Sequence, residues 1–272
     1  MVSMWRRWGS LSGCGGLPAR LFACSLIALS TAFLFAAEAP LENTGSPMRV
    51  AFACAGDDLQ AAGLSCNEDE PCRILLELSA VETSAGRVFL AGNLHTTATT
   101  LSSILLVTED NGRTWREAYR RIPYAALDQI QFVDFQHGWI SGQNVQSLAR
   151  DPFLLATDDG GVTWREQPIF GEAQEAGAIQ RFHFDSVTTG MLLLDRGAGK
   201  RYELYRTASG GMTWDLVRAD RDPIPFPGGP PSAATSWRIR ADAKTSAWLI
   251  EQNRGDIWQR IAAFSTEAAV CR

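Results

Sequence analysis

Short apolar runs alternate with polar turns along most of the chain. Residues 130–142, IQFVDFQHGWISG, predict a strand ending near Asp134, a turn to Gly138 and a second strand opening with Trp139. The same outline recurs as LSAVETSAGRVFLAG, FHFDSVTTGMLLLD and IRADAKTSAWLIE. Short apolar runs bounded by turn residues are typical of strands, and no stretch after residue 39 has sustained helical periodicity. The pattern therefore predicts an all-β protein.

In three repeats the outline is followed by another apolar strand, and in all four a polar octet that ends in Trp comes next. The octets are TEDNGRTW (residues 108–115), TDDGGVTW (157–164), TASGGMTW (207–214) and a less regular copy, EQNRGDIW (251–258). Their Trp residues lie 49, 50 and 44 residues apart, which indicates a repeat with a period near 50.

The octet composition suits a tight turn between antiparallel strands. Asp or Asn can accept hydrogen bonds from the turn backbone, Gly can adopt positive φ, and Trp begins the next strand with a large buried ring. We therefore predict structural roles for Thr108, Asp110, Gly112, Thr114, Trp115, Thr157, Asp159, Gly161, Thr163, Trp164, Thr207, Gly211, Thr213, Trp214, Asn253, Gly255 and Trp258. Each Trp is expected at a contact between repeats.

Four short strands per repeat are the sequence pattern of a β-propeller blade. We predict about four four-stranded antiparallel blades, at residues 73–125, 126–176, 177–235 and 236–272, or five if the N-terminal segment builds more than one strand. The fourth repeat is one strand short, and a strand at residues 48–55 is available to close the ring. The Pro/Gly-rich residues 222–236 predict a long loop.

The N-terminus has the pattern of an export signal. Three Arg and no acid in residues 1–20 precede an apolar run at residues 21–37, so residues 1–39 predict a signal peptide or an uncleaved N-terminal anchor. Residues 40–72 predict a lead-in with the closing strand and an acidic loop at residues 56–71. We expect an exported protein, periplasmic or otherwise extracytoplasmic.

Four Cys remain beyond the export segment, an even number that permits two disulfides in three connectivities. Cys54 ends the closing strand and Cys271 lies at the C-terminus, so we expect this pair to join the two ends of the chain. Cys66 and Cys72 would then close the acidic loop.

Composition narrows the classes of function that the protein can have. The chain is 46% apolar and 20% charged, as in a globular protein, and removing residues 1–39 changes its formal charge from −5 to −7. An acidic protein is a poor candidate for binding nucleic acid, and we expect contact with a membrane only through an uncleaved anchor.

The octets resemble the Asp-box, or BNR repeat, Ser/Thr-x-Asp-x-Gly-x-Thr-Trp, which in that family lies between the third and fourth strands of a propeller blade. In the second repeat, D-x-x-H-G-W-x-x-G precedes the octet, and this longer pattern resembles the photosystem II stability and assembly factor family over residues 73–264. That resemblance implies a non-catalytic scaffold that holds a protein partner in the cell envelope, although the photosynthetic members have seven blades.

Carbohydrate-active propellers are the alternative, as glycan binders or as sialidases, which also carry Asp-boxes. A sialidase needs three carboxylate-binding Arg, a Tyr nucleophile supported by an acid, and an F/Y-R-I-P motif before the first box. The nearest string here, Arg121-Ile122-Pro123, follows the first octet and has Arg120 at the aromatic position. We expect no enzyme activity, no cofactor and no metal site, since His95, His137 and His183 lie on three different repeats.

A basic and aromatic cluster follows the first octet, comprising Arg116, Tyr119, Arg120 and Arg121. Because Arg and Tyr are enriched where binding energy concentrates, the cluster is a candidate partner-binding site. The alternative is a solvated outer strand.

Overall fold

A computed structural model describes residues 39–145, 152–170, 177–197, 201–227 and 236–272, all within the compact unit Glu38–Arg272. These residues form small antiparallel sheets and one short helix, so the predicted all-β, propeller-like fold class is confirmed. No helix among them is long and apolar enough to cross a membrane. The predicted export segment lies outside the described residues except for Ala39.

Three sets of four antiparallel strands follow one another along the chain, and we call them blades 1 to 3; blade 1 forms the centre of a six-stranded sheet. Blade 1 contains β2 (Cys72–Ser84), β3 (Arg87–His95), β4 (Thr100–Thr108) and β5 (Thr114–Glu117). Blade 2 contains β6 (Ala125–Phe132), β7 (Gly138–Asn144), β8 (Phe153–Thr157) and β9 (Arg165–Pro168). Blade 3 contains β10 (Ala178–Phe184), β11 (Gly190–Asp195), β12 (Tyr202–Thr207) and β13 (Asp215–Asp220).

The remaining elements surround blade 1. A fourth, three-stranded sheet contains β14 (Trp237–Asp242), β15 (Ala247–Arg254) and β16 (Ile257–Ser265). The short strand β1 (Leu41–Glu42) pairs with β5, and β17 (Glu267–Cys271) pairs with β2. A six-residue helix, α1 (Gly56–Ala61), lies in the segment that the sequence predicts as a loop only.

The first three octets form the hairpins between the third and fourth strands of their blades. In the first, the Thr108 hydroxyl accepts from the N–H of Gly112 at 2.9 Å and donates to Asp110 at 2.9 Å. Asp110 also accepts from the N–H of Thr114 at 2.9 Å. The backbone N–H of Thr114 is the main cause that lowers the pKa of Asp110 to about 2. The octet therefore folds through its own side chains.

The other two hairpins use the same bonds. In the second, Asp159 accepts from the N–H of Thr163 at 2.9 Å. In the third, Ser209 stands in the Asp position, and its hydroxyl accepts from the N–H of Thr213 at 2.9 Å. A hydroxyl thus replaces one of the carboxylate's acceptor roles, which explains why the hairpin tolerates the substitution.

Each of these octets ends in a Trp that packs edge-on against a Phe ring. Trp115 meets Phe264 of the fourth sheet with ring centroids 5.3 Å apart and planes at 82°. Trp164 meets Phe89 of blade 1 at 5.8 Å and 82°. Gly161, at φ 82°, is required beside this contact, because an added Cβ would lie 2.4 Å from the Phe89 ring.

The third octet repeats the arrangement at the edge of blade 3. Trp214 packs against Phe184 at 6.0 Å and 68°, and Phe184 stacks on Trp139 of blade 2 at 3.7 Å. Trp214 is less buried than Trp115 and Trp164. The expected contact between repeats therefore forms for Trp115 and Trp164, whereas Trp214 contacts Phe184 of its own blade, and Phe184 makes the contact with blade 2.

The prediction for the fourth octet is wrong in two respects. Its turn joins β15 to β16, the second and third strands of the sheet, although Gly255 has the expected positive φ of 73°. Asn253 and Trp258 pair across the two strands, and Trp258 lies partly exposed, with the guanidinium of Arg238 4.1 Å from its ring centroid. Because the hairpin comes one strand too early, its Trp cannot reach another sheet.

Buried side chains show the order in which the sheets pack. One cluster joins the fourth sheet to blade 1, a second joins blade 1 to blade 2, and a third joins blade 2 to blade 3. Among the described residues, no such cluster joins blade 3 to the fourth sheet. The outer face of blade 3 has its own small cluster, in which Ile224 packs on Leu193 and Leu204.

The fourth sheet runs in the opposite sense to the blades. Strands β2, β6 and β10, the first strands of their blades, run parallel to one another. Ser79 and Ser84 bond Leu127 and Asp134 in that order, and Gln129 and Gln131 bond Gln180 and Phe184. By contrast, β17 follows β16 after one residue and runs antiparallel to β2. The indole of Trp248, near the start of β15, donates to the carbonyl of Leu76 at 2.7 Å. The fourth sheet thus covers blade 1 as an inverted cap.

The N-terminal segment helps to attach this cap, but not as the predicted strand at residues 48–55. Of those residues, only Met48 forms a bridge, parallel to Phe264 of β16. The Asn43 amide donates to the carbonyls of Gly112 in blade 1 at 2.9 Å and of Ile261 in the fourth sheet at 2.8 Å. The N-terminal segment therefore joins two sheets.

Both expected disulfides are present in the structure. Cys54 is joined to Cys271 across 217 residues, and Cys66 is joined to Cys72 across 6. The disulfide between Cys54 and Cys271 holds the N-terminal segment to β17. From the entropy of the closed loop, it contributes at most roughly 4–5 kcal/mol to stability. Two disulfides indicate an oxidising compartment.

Replacing Trp164 by Ala is expected to lower the free energy of unfolding by about 3–5 kcal/mol, because it opens a cavity between blades 1 and 2. The matched control is Trp258→Ala, which removes only a cation–π contact of roughly 0.5–1 kcal/mol. Urea unfolding monitored by circular dichroism measures both. Equal losses for the two variants would contradict the assignment of Trp164 to the core.

Glu82 gives a pH-dependent prediction. It is 7% exposed, and burial raises the pKa of its carboxyl while a hydrogen bond from the N–H of Thr83 opposes that shift. A raised pKa in the folded state means that stability falls as the pH rises above 4.5, the value for the unfolded chain. We expect Glu82→Gln to raise the urea midpoint at pH 7, with the gain disappearing near pH 4.

Glu203→Gln serves as the opposite control. The pKa of Glu203 is lowered despite its burial, because Tyr205, Arg196 and Arg201 donate to it, so its charge is stabilising at pH 7. This variant is expected to lower the midpoint at pH 7. A lower midpoint for Glu82→Gln at pH 7 would show that ionised Glu82 has a compensating partner.

Candidate functional site

A groove of about 500 Å³ lies where blade 1, blade 2 and the fourth sheet meet. Two hairpin turns and residues of the fourth sheet form its walls. Its lining residues are Thr83, Ser84, Ala85, Gly86, Arg87, Val88, Asn111, Phe132, Val133, Asp134, Phe135, Trp237 and Gln252. We call this opening the hairpin groove.

Turn chemistry fixes both hairpins. Ala85 and Gly86, at φ 49° and 81°, form the two-residue turn between β2 and β3. In the turn between β6 and β7, Asp134 accepts from the N–H groups of Gln136 and His137, each at 2.7 Å. The N–H of His137 is the main cause that lowers the pKa of Asp134. These bonds hold the turn open and leave Phe135 77% exposed.

The charged groups of the hairpin groove are already paired. Arg87 donates to Glu109 at 2.7 Å and to the carbonyl of Gly160 at 3.1 Å, and its bond lowers the pKa of Glu109. Exposed apolar surface at Phe135, the amide of Asn111 and the amide nitrogen of Gln252 remain for a ligand, since the Gln252 oxygen already accepts from Arg254 at 3.0 Å. This mixture suits an extended polypeptide better than a small anion.

A second group of polar side chains lies on the inner strands. Glu77 of β2 is bonded to Asn93 at 3.1 Å, and Asp128 of β6 lies within range of the Glu77 charge. Burial, and then the charge of Glu77, raises the pKa of Asp128. Neighbouring carboxyl groups of which one is readily protonated are a general acid–base arrangement.

Sequence reasoning missed a buried ionic cluster in blade 3. Glu203 accepts from Arg196 at 2.8 Å and from the hydroxyl of Tyr205 at 2.8 Å, and Arg201 also donates to it. Burial, and then the bond to Glu203, raises the pKa of Tyr205, which is 7% exposed. A Tyr–Glu pair resembles the supported nucleophile of a sialidase, but a buried phenol with a raised pKa is a poor nucleophile.

Only the spacing of Glu203 and Tyr205 could have revealed this cluster from the sequence. The two side chains lie at positions i and i+2 of β12 and so share one face of the strand. Arg196 directly follows β11, and its partnership with Glu203 depends on strand register. The cluster is a packed element between blades 2 and 3.

The structure places Arg116 of the predicted basic cluster in β5 and the other members directly after it, with each Arg beside an acid. Arg116 contacts Glu109 at 3.3 Å, and Arg120 contacts Glu166 of blade 2 at 3.7 Å. Arg121 holds Glu117 at 2.5 Å and the carbonyl of Ala51 at 2.8 Å. The Arg121 guanidinium therefore has partners within the chain, whereas Arg120 is 66% exposed and can more readily contact another molecule.

In the part of the chain that the structure describes, no three His, Cys, Asp or Glu side chains converge to form a candidate metal site. His95 bonds the carbonyl of Thr96, His137 bonds Asp134, and His183 contacts Gln131. Each His thus has a structural contact.

The fold and these sites define an all-β, propeller-like protein with disulfides and an open groove. No protein-family model matches the chain, and no curated protein matches it. Among solved structures it is similar to YCF48 bound to D1 peptide, with 15% identity over 72% of this chain and 57% of that chain, at a TM-score of 0.41.

Two carbohydrate-active enzymes are similar to the same degree. They are the GH74 xyloglucanase from Xanthomonas campestris (15% identity, 68% of this chain, 28% of that chain, TM-score 0.36) and a PL25 ulvan lyase (9%, 75%, 54%, 0.39). The chain therefore spans little more than half of YCF48 or the lyase. Likenesses this distant do not distinguish a scaffold from an enzyme.

Proposed function

We propose that the protein is a non-enzymatic interaction scaffold of the cell envelope that holds an extended segment of a partner protein in the hairpin groove. The observation that carries this proposal is Phe135, which is 77% exposed at the rim of the groove on a turn held by Asp134. A rigid, exposed aromatic side chain is a typical centre of binding energy.

The groove chemistry supports the same proposal. The turn Ala85-Gly86 and the amides of Asn111 and Gln252 offer hydrogen-bonding groups, and Phe132 adds apolar surface. A polypeptide presents backbone donors and acceptors along with apolar side chains, so it can satisfy both kinds of surface. The resemblance of the second repeat to the photosystem II assembly factor family favours the scaffold role, and the two disulfides favour export.

The test is photo-crosslinking in the native envelope with a photoreactive amino acid at position 135. We expect a discrete crosslinked partner, and in chains without the photoreactive group Phe135→Ala should reduce co-purification of that partner about tenfold, as loss of one aromatic anchor would. Met212→Ala is the matched control, since Met212 is 74% exposed but lies in the third octet, away from the groove. Equal recovery from both variants would reject the groove as the partner site.

The basic cluster is assessed in the same experiment through Arg120→Glu. The contact of Arg120 with Glu166 is exposed and weak, so the fold should tolerate the change. Reduced recovery would add Arg120 to the partner surface. Unchanged recovery, together with a loss in Phe135→Ala, would restrict binding to the groove.

A carbohydrate-active role is the second candidate, and the Glu77 and Asp128 pair favours it. The raised pKa of Asp128 would suit a general acid. Purified protein incubated with sialosides and other glycosides should show no turnover if the scaffold proposal holds. Turnover that is abolished by Asp128→Asn and by Glu77→Gln would establish a carbohydrate-active enzyme. It would contradict the proposal of a non-enzymatic scaffold.

A further inference from the structure

The outer strand of blade 3 is a sheet edge that no other described strand covers. Leu216 and Val217 are adjacent on β13, and both are more than half exposed, at 55% and 53%. A register shift opposite Leu204 and Tyr205 leaves Val217 without a partner on β12. The strand contains neither Pro nor Lys, and the features that protect it as an edge are its bulge and its charged side chains.

The outer strands of the other two blades differ. β5 is covered by β1, with Leu41 opposite Trp115 and Glu42 opposite Thr114. β9 has four residues and ends at Pro168, which cannot donate to another strand. The pairing of β1 with β5 shows that the outer edge of a blade in this fold can accept a further antiparallel strand.

We propose that β13 pairs antiparallel with β13 of a second copy of this chain across a two-fold axis. In the register that sets Leu216 opposite Val217 of the second copy, Asp215 faces Arg218 of that copy, and the symmetry repeats both pairs. Opposite charges directly across a strand pair are stabilising.

Charge disfavours two of the neighbouring registers, and the proposed register is the one that pairs opposite charges. A shift of two residues sets Asp215 opposite Asp220, and a shift of three sets Arg218 opposite Arg218, so both place like charges together. A shift of one aligns Val217 with itself and leaves Asp215 opposite Ala219. Arg218 contacts Asp220 of its own strand, but it is 56% exposed and can exchange that weak contact for a new one.

The dimer would present two hairpin grooves on one particle. Two linked sites bind a partner that carries two copies of the recognised segment, or an array of such partners, more tightly than one site can. This consequence rests on the proposed function, whereas the dimer itself does not.

The test measures self-association of protein purified after expression of the full chain, by sedimentation velocity and light scattering at concentrations up to about 100 µM. The wild type is expected to dimerise with rising concentration. Asp215→Arg and Arg218→Asp should each weaken the dimer by about tenfold or more, because each turns two attractive pairs into repulsive ones.

Two rescues separate this pairing from simple misfolding. The double variant Asp215→Arg/Arg218→Asp restores opposite charges and should return the dimer to within about threefold of the wild type. An equimolar mixture of the two single variants should form a heterodimer, since one chain then carries two basic groups at positions 215 and 218 and the other chain carries two acidic groups there. Val162→Lys, at an exposed position in blade 2, should change nothing.

Three results would overturn the proposal. They are a wild type that remains monomeric at the highest concentration, single variants that dimerise like the wild type, and a double variant or mixture as weak as the single variants. The proposed function has a separate readout, because partner crosslinking at Phe135 can fail while the dimer forms, and the reverse.

Discussion

The edge-on contact between an octet Trp and a Phe ring is the interaction on which the stacking of the sheets depends. Between sheets it occurs as Trp115 on Phe264 and Trp164 on Phe89, and Trp214 makes a similar contact with Phe184 inside blade 3. All three indole Nε1 atoms are buried and have no hydrogen-bond partner among the described residues. A buried N–H against an aromatic face gains only a weak bond, so the stabilisation comes mainly from ring burial.

The octet links this packing to local folding. The Thr and Asp or Ser side chains close the hairpin, and the closed hairpin aims the Trp at the next ring. This dependence explains why Gly161 is fixed by two constraints, a positive φ and the nearness of Phe89. The same constraints limit what the octets can do chemically, because their polar groups are already bonded to one another.

Much of the fold could be predicted from the sequence because these octets are local. Thr, Asp, Gly and Trp within eight residues specify a hairpin, and the period near 50 then gives the number of repeats. The two disulfides followed from the positions of Cys54 and Cys271. The role of Trp258 could not be predicted, since its octet resembles the others while the strand that should precede it is missing.

The candidate site was less predictable because it depends on sheet packing. Phe135 lies in a recurring turn, and Val187 occupies the corresponding place in blade 3, where its carbonyl approaches Gly210 as that of Phe135 approaches Gly160. The position of Phe135 beside Trp237 arises from the inverted fourth sheet, a long-range arrangement. Glu203 likewise meets Arg196 only through strand register.

The tie between Cys54 and Cys271 lies at one end of a linear stack of sheets. The covalent link, the Asn43 bonds and the largest buried cluster all hold the fourth sheet to blade 1, whereas the buried contacts of blade 3 among the described residues run through blade 2. In a linear array each unit is stabilised mainly by its neighbours. The free energy of local opening is therefore lowest at blade 3 and increases toward the disulfide, so unfolding is expected to begin at blade 3.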